Sequence, residues 1–169
     1  MPAIAHLGVG FAAKKFAPKV PVIYLILTAE FIEIVFFILV FFGIEQMPEL
    51  NKAPYSPFSH SLIMGIIWSI VIGSFTLVIS KNRRTSLIIG LLVFSHTALD
   101  IFASPKLAFY PTDTAMPIFF DNSLSIGLGL WKYKIVALIG EVGILVFGVI
   151  IYLLTRRRIK REMNRPISI

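Results

Sequence analysis

The run VPVIYLILTAEFIEIVFFILVFFG, from Val20 to Gly43, decides how the rest of the chain is read. A bilayer crossing takes roughly 20 apolar residues at a rise of about 1.5 Å each, so this run is long enough to span. Its only charged residues are Glu30 and Glu33, at a depth where an ionised side chain is costly and marks a functional site by default. Three further runs of the same kind follow, Ser59 to Ser80, Ser86 to Pro105, and Lys134 to Leu154. None shows strand alternation, and four segments are too few for a closed barrel, so all four read as helices.

The expected fold class is therefore all-α. The chain reads as a polytopic membrane protein with four transmembrane helices at about 20–43, 59–80, 86–105 and 134–154. A short N-terminal helix within Pro2 to Phe16 is too short to span, so it lies in the interface or re-enters the bundle. The whole, residues 1–169, is one membrane domain ending in a basic tail, Thr155 to Ile169. The first long run is not a signal peptide: it carries two glutamates, exceeds the usual h-region, and no small-residue cleavage site follows it.

Composition agrees. Of 169 residues, 57% are apolar and 15% charged, against roughly 45 to 50% and about 25% in soluble domains, and the mean hydropathy is +0.85. A water-soluble globule is excluded. The absence of cysteine removes disulfides, thiol nucleophiles, iron–sulfur clusters and Cys-based zinc sites, which leaves His, Asp and Glu to hold any metal. The net charge of +7 lies mostly in short basic blocks beside apolar runs, where it orients membrane segments, and no nucleic-acid partner is expected.

Those blocks set the expected orientation. Lys14, Lys15 and Lys19 precede the first span, Lys81, Arg83 and Arg84 join the second to the third, and Arg156, Arg157, Arg158, Lys160, Arg161 and Arg165 follow the fourth. Twelve of the sixteen basic residues thus fall on one side, which predicts that both termini are cytoplasmic. Two loops, Ile44 to Phe58 and Lys106 to Lys132, face outward. Their prolines (Pro48, Pro54, Pro57, Pro111, Pro117) suit ordered, non-helical loops able to roof a site. The tail reads as a stop-transfer anchor with anionic-lipid recognition as the alternative, and Trp131 and Tyr110 read as members of an aromatic belt.

The polar residues inside the spans carry the functional argument. Glu30, Glu33, Asp100 and Glu141 are intramembrane acids, His96 shares a span with Asp100, and His60 opens the second span on the outer side. No span interior holds a Lys or Arg to neutralise them, so the carboxylates are protonated, paired with histidine, or bound to an exogenous cation. Glu30 and Glu33 stand i, i+3 and His96 and Asp100 stand i, i+4, so each pair shares a helix face. Measured from the cytoplasmic ends, Glu30 and His96 come at roughly 15 Å and Glu33, Asp100 and Glu141 at roughly 20 Å; His60 lies above them. Each position has a plainer reading. The acids, Glu141 above all, can be protonated glue between helices, and His60 can face headgroups. Ser59 and Ser95 each adjoin a histidine, but successive helical side chains point about 100° apart, which argues against a serine nucleophile.

His6, the Ala12-Ala13-Lys14-Lys15 and Ala17-Pro18 run, Glu30 with Glu33, Ser59-His60-Ser61-Leu62, Ser95-His96-Thr97-Ala98-Leu99-Asp100, Gly127-Leu128-Gly129-Leu130-Trp131 and Glu141 occur in that order. The ordered set, from His6 to about Tyr152, resembles the prokaryotic YdjM-like family of inner-membrane proteins, described as membrane-bound metal-dependent hydrolases and distantly similar to zinc-dependent phospholipase C. The resemblance implies location in a prokaryotic inner membrane and a divalent metal site at His6, Glu30, Glu33, His60, His96 and Asp100. Nitrogen and oxygen ligands of this kind suit zinc or manganese, and Glu33 or Glu141 would be the general base. The chain departs from the family in having Glu for Asp in its first acidic pair, and Ser104 and Lys106 where relatives carry His and Asp. Two functions are therefore expected to compete: a metal-dependent hydrolase acting on a lipid or phosphoester from the outer face, and a non-catalytic membrane subunit or scaffold that binds lipids and other membrane subunits. A cation or proton conductor is the third, disfavoured by the lack of a repeat and of broken helices in matched halves.

Overall fold

A computed structural model describes residues 4–47, 56–103 and 127–164. The elements are α1 (Ala5–Ala13), α2 (Val22–Ala29), α3 (Phe31–Phe41), α4 (Pro57–His60), α5 (Leu62–Ser80), α6 (Arg83–Ala103), a single 3-10 turn (Leu130–Lys132) and α7 (Lys134–Met163). The described residues are helical, as expected, and α5, α6 and α7 are each long and apolar enough to cross a bilayer. The expected loop residues Pro48, Pro54, Tyr110, Pro111 and Pro117, together with Ser104 and Lys106, lie outside the described residues.

The first apolar run is not one straight helix. It breaks at Glu30 into α2 and α3, bent by 56°, with Glu30 at φ −90° and ψ 4°. No proline causes this. Thr28 Oγ1 donates to the Tyr24 carbonyl at 2.7 Å, a back-bond that bends helices. The Ala29 carbonyl accepts from a ring nitrogen of His96 at 3.0 Å, and side-chain insertion of this sort is a recognised cause of kinks. The second run is also interrupted: Ser61 is extended (φ −74°, ψ 150°), separates α4 from α5, and caps α5 by accepting from Met64 N. The fourth run continues well past Leu154, so the basic residues 156–161 belong to α7 itself, where Arg158 pairs with Glu162 one turn on at 2.8 Å.

Helices approach closely where side chains are small. On α5, Gly65, Ser69 and Gly73 recur every four residues and face α6. Ser69 Oγ donates to the Gly90 carbonyl at 2.5 Å and Ser86 Oγ to the Gly73 carbonyl at 2.7 Å, so the two backbones nearly touch. Small residues and hydroxyls of this kind hold helices together where lipid removes the hydrophobic drive. Likewise α1 lies against α7 through Gly8 and Gly148; a Cβ at either would collide with the other helix's backbone.

That contact places α1 inside the bundle. It packs on α7, α2 and α6, and Ala5, His6, Gly8, Gly10 and Ala13 are buried. Glu141 Oε2 accepts from Ile4 N and Ala5 N, both at 2.9 Å. Glu141 precedes Arg156 by fifteen residues, about 22 Å along α7. Ile4, itself exposed, thus lies at the level of Glu141 rather than at the basic face on which both termini were expected, and α1 runs from there toward that face. The turn into α2 is tied by Lys14 Nζ, which donates to the Val20 carbonyl at 2.6 Å, and partial burial lowers the Lys14 pKa from its ordinary value.

The α1–α7 contact is testable. Gly8→Leu is expected to lower the melting temperature in detergent, by the equivalent of about 1–3 kcal/mol or more for overpacking. Gly143→Leu on α7, where a Cβ meets nothing within 4 Å, should leave it nearly unchanged.

Candidate metal centre

Five side chains from four helices converge at the end of the bundle opposite the basic face. Asp100 lies seventeen residues beyond the start of α6 at Arg83, about 25 Å along the axis. Its Oδ2 is 3.5 Å from His96 Nε2 and 3.8 Å from His60 Nε2, and its Oδ1 is 3.8 Å from His6 Nε2. From α3, Glu33 Oε1 comes to 3.7 Å from His60 Nε2 and 4.0 Å from His96 Nε2. His6, His60, His96 and Asp100 are each at most 2% exposed; Glu33 is 16% exposed and is the one member that reaches the outside.

Two of the histidines, His96 and His60, are aimed by their far nitrogens, whereas His6 Nδ1 is buried without a partner. A carbonyl only accepts, so the bond between His96 Nδ1 and the Ala29 oxygen puts the hydrogen on Nδ1 and leaves a lone pair on Nε2. His60 is fixed one step further out. Ser59 Oγ lies 2.6 Å from Glu45 Oε2 and 2.7 Å from His60 Nδ1. The hydroxyl has a single hydrogen, which goes to the carboxylate, so His60 Nδ1 is the donor to Ser59 and its Nε2 also keeps a lone pair. Carboxylate- or carbonyl-anchored imidazoles with the opposite nitrogen free are the usual setting of metal-ligating histidines. The His6 ring stacks on His96 with centroids 3.6 Å apart and planes 9° from parallel, and Phe36 meets His60 edge-on at 5.4 Å.

What the inward atoms lack is a partner. His6 Nε2, His60 Nε2, His96 Nε2 and both Asp100 oxygens are buried without a hydrogen bond. Buried polar atoms left unpaired cost about 1–3 kcal/mol each, so five in one chamber call for something at its centre. Two overlapping sets, His6–His96–Asp100 and Glu33–His60–His96, are spaced to hold a metal ion. Ligands about 2.0–2.1 Å from a tetrahedral metal stand about 3.3 Å apart, so the observed 3.5–4.0 Å separations close with small rotamer changes.

The expected site residues thus divide. His6, Glu33, His60, His96 and Asp100 come together. Glu30 sits at the α2–α3 break with Oε1 buried and unpartnered, but belongs to neither set. Glu141, expected as one of two candidate bases, is instead a structural acceptor: besides binding Ile4 and Ala5, its Oε1 takes the Trp131 indole N–H at 2.9 Å. Trp131 accordingly serves this bond, with its ring against Gly140, rather than only an aromatic belt.

Sequence reasoning missed Glu45 and the contact of Ser59 with His60. Glu45 falls in the loop expected to face outward, yet it is 1% exposed and its Oε1 accepts from Phe58 N and Ser59 N at 2.8 and 2.9 Å. Ser59 does touch its neighbour His60, as an orienting group rather than a nucleophile. A buried acid beside Ser-His was the available signal, but no sequence spacing tells that a loop residue fourteen positions away returns to it. No family model matches the chain, and neither a curated protein nor a solved structure matches it.

Removing only the orienting hydroxyl probes this arrangement. Ser59→Ala is expected to weaken divalent-metal affinity about 10- to 100-fold by isothermal titration in detergent. Ser95→Ala should not, because that hydroxyl turns back to the Leu92 carbonyl at 2.6 Å.

Proposed function

We propose that the protein is a four-span integral membrane protein of the YdjM-like kind and a metal-dependent hydrolase. Its chamber holds a divalent ion, zinc or manganese, through His6, His60, His96 and Asp100, with Glu33 beside it. The observation that carries this reading is the convergence of three imidazole Nε2 atoms on a carboxylate with both oxygens free, all buried and unpartnered. The bent pair α2–α3 counts as the fourth span. The exposed apolar surfaces of α5 and α7, such as Ile70, Phe75, Val78, Ile135, Ile139 and Phe147, face lipid. The expected location is a prokaryotic inner membrane.

An ion bound there would act as a Lewis acid on water and on a phosphoryl or acyl oxygen. The protein's own groups supply the rest. Asp100 and the histidines fix the geometry. Glu33, the partly exposed member, stands where it can take a proton from an entering water, and the apolar walls keep bulk water out. Among the described residues, the only ion pair of a Lys or Arg is Arg158–Glu162, so no basic side chain substitutes for the ion. The competing account, protonated acids that merely glue helices, gives Asp100 a single hydrogen to offer, whereas both His60 and His96 present an Nε2 lone pair to it, at 3.8 and 3.5 Å.

Metal analysis decides between the two. Purified protein should carry near-stoichiometric zinc or manganese that is lost in His96→Ala. A chelator should lower the melting temperature of the wild type, because an ion bound only to the folded state stabilises it by linkage. Asp100→Asn, which removes charge while keeping shape, should abolish most of that chelator effect. Absence of metal from the wild type, with no chelator effect, would leave the scaffold reading. If metal binds, Glu33→Gln should retain it while losing hydrolysis of phosphodiester and ester substrates, by the 10²- to 10⁴-fold, roughly, that a general base contributes.

A further inference from the structure

Between α1 and α6 lies an open apolar groove of about 480 Å³, whose mouth at the basic end of the bundle is about 24 Å along α6 from Asp100. Val9, Ala12 and Phe16 form one wall, Leu87 and Leu91 the other, and Ser95 closes its deep end. Arg84 stands at its mouth. It also borders a second pocket of about 450 Å³ whose charged residues are Lys15, Arg84, Arg158 and Glu162. The apolar groove and the basic pocket are thus joined at one guanidinium. Arg158 is paired with Glu162, whereas neither Lys15 nor Arg84 pairs with a carboxylate among the described residues.

We propose that this composite site binds one anionic phospholipid from the leaflet on the basic side, with an acyl chain in the α1–α6 groove and the phosphate between Arg84 and Lys15. Three observations support that occupant over others. The groove runs along the axis of α6 from Arg84 to Ser95, about 16 Å, which is the course of an acyl chain in a bilayer. Its mouth is cationic, which suits a phosphate and opposes a second copy of this basic surface. The groove exists because α1 is a half-length helix set among full-length ones, so lipid is what borders it. Guanidinium binds phosphate through planar paired N–H donors, and juxtamembrane basic clusters favour anionic lipid. The cationic mouth lies at the opposite end of α6 from Asp100, while the deep end at Ser95 adjoins His96 of the chamber.

The test uses the full chain reconstituted in vesicles of equal phosphatidylglycerol and phosphatidylcholine, extracted in mild detergent, with retained lipid counted by native mass spectrometry. The wild type should retain phosphatidylglycerol over phosphatidylcholine by on the order of tenfold, because both carry a phosphate for Arg84 but the quaternary ammonium of phosphatidylcholine is repelled by the cationic mouth. Arg84→Gln should lose the preference, and Leu91→Trp, which fills the groove from an exposed position, should lose the lipid. Arg161→Gln, outside both pockets, should behave as wild type. Equal retention of the two lipids by the wild type would overturn the proposal, as would undiminished preference in Arg84→Gln. An equal loss in Arg161→Gln would show only diffuse attraction to the basic helix. Displacement of the lipid by millimolar inorganic phosphate, or undiminished retention in Leu91→Trp, would reduce the site to an anion contact and reject the groove.

Discussion

Asp100 is the constraint on which the arrangement depends. A carboxylate 2% exposed in an apolar bundle is tolerated only with protons, hydrogen bonds or a cation to meet it, and here it meets three imidazoles. Each of those imidazoles comes from a different helix: α1, α4 and α6. Satisfying one buried acid therefore ties together elements that are far apart in sequence, and that requirement explains two irregularities of the fold. The α2–α3 break presents the Ala29 carbonyl to His96, and the one-turn α4 presents His60. Both would be local defects in a bundle without a polar centre.

The two short helices that carry histidines are held in the same way. The N-terminal backbone N–H groups of α1 bind Glu141, and those of α4 bind Glu45. A helix start has unsatisfied N–H donors and a partial positive charge, so a carboxylate there forms strong, short hydrogen bonds. A helix of four residues, or of nine, has little stability of its own. Two glutamates distant in sequence thus fix helices that would otherwise be free to rotate, and with them the His6 and His60 rings. Acids that look alike in the chain consequently have opposite duties: Glu33 and Asp100 face the chamber, while Glu45 and Glu141 hold its walls.

Packing of small residues completes the support. Gly73 and Gly90, and Gly8 and Gly148, let backbones meet, so that α6 carries Asp100 against α5 on one side while α1 is pressed onto α7 on the other. With a half-length α1 inserted among longer helices, the bundle divides into a polar chamber at one end and an apolar, cation-mouthed groove at the other. The chamber and the mouth of the groove thereby lie toward opposite ends of α6.

Much of this was legible in the chain. Length and hydropathy specify apolar helices because a bilayer crossing imposes a fixed minimum run. The i, i+4 spacing of His96 and Asp100 puts both on one face because helix periodicity is local. Intramembrane acids without basic partners single out a polar centre, since burial makes unpaired charge costly wherever it occurs. What periodicity cannot convey is direction and return. That α1 enters the bundle rather than lying flat, that Glu141 binds a helix start rather than water, and that Glu45 comes back from a loop to orient Ser59 and His60 are all contacts between residues 13 to 137 positions apart. They are set by which backbone surfaces are smooth enough to touch and which buried donors still need an acceptor, and those quantities exist only once the helices have packed.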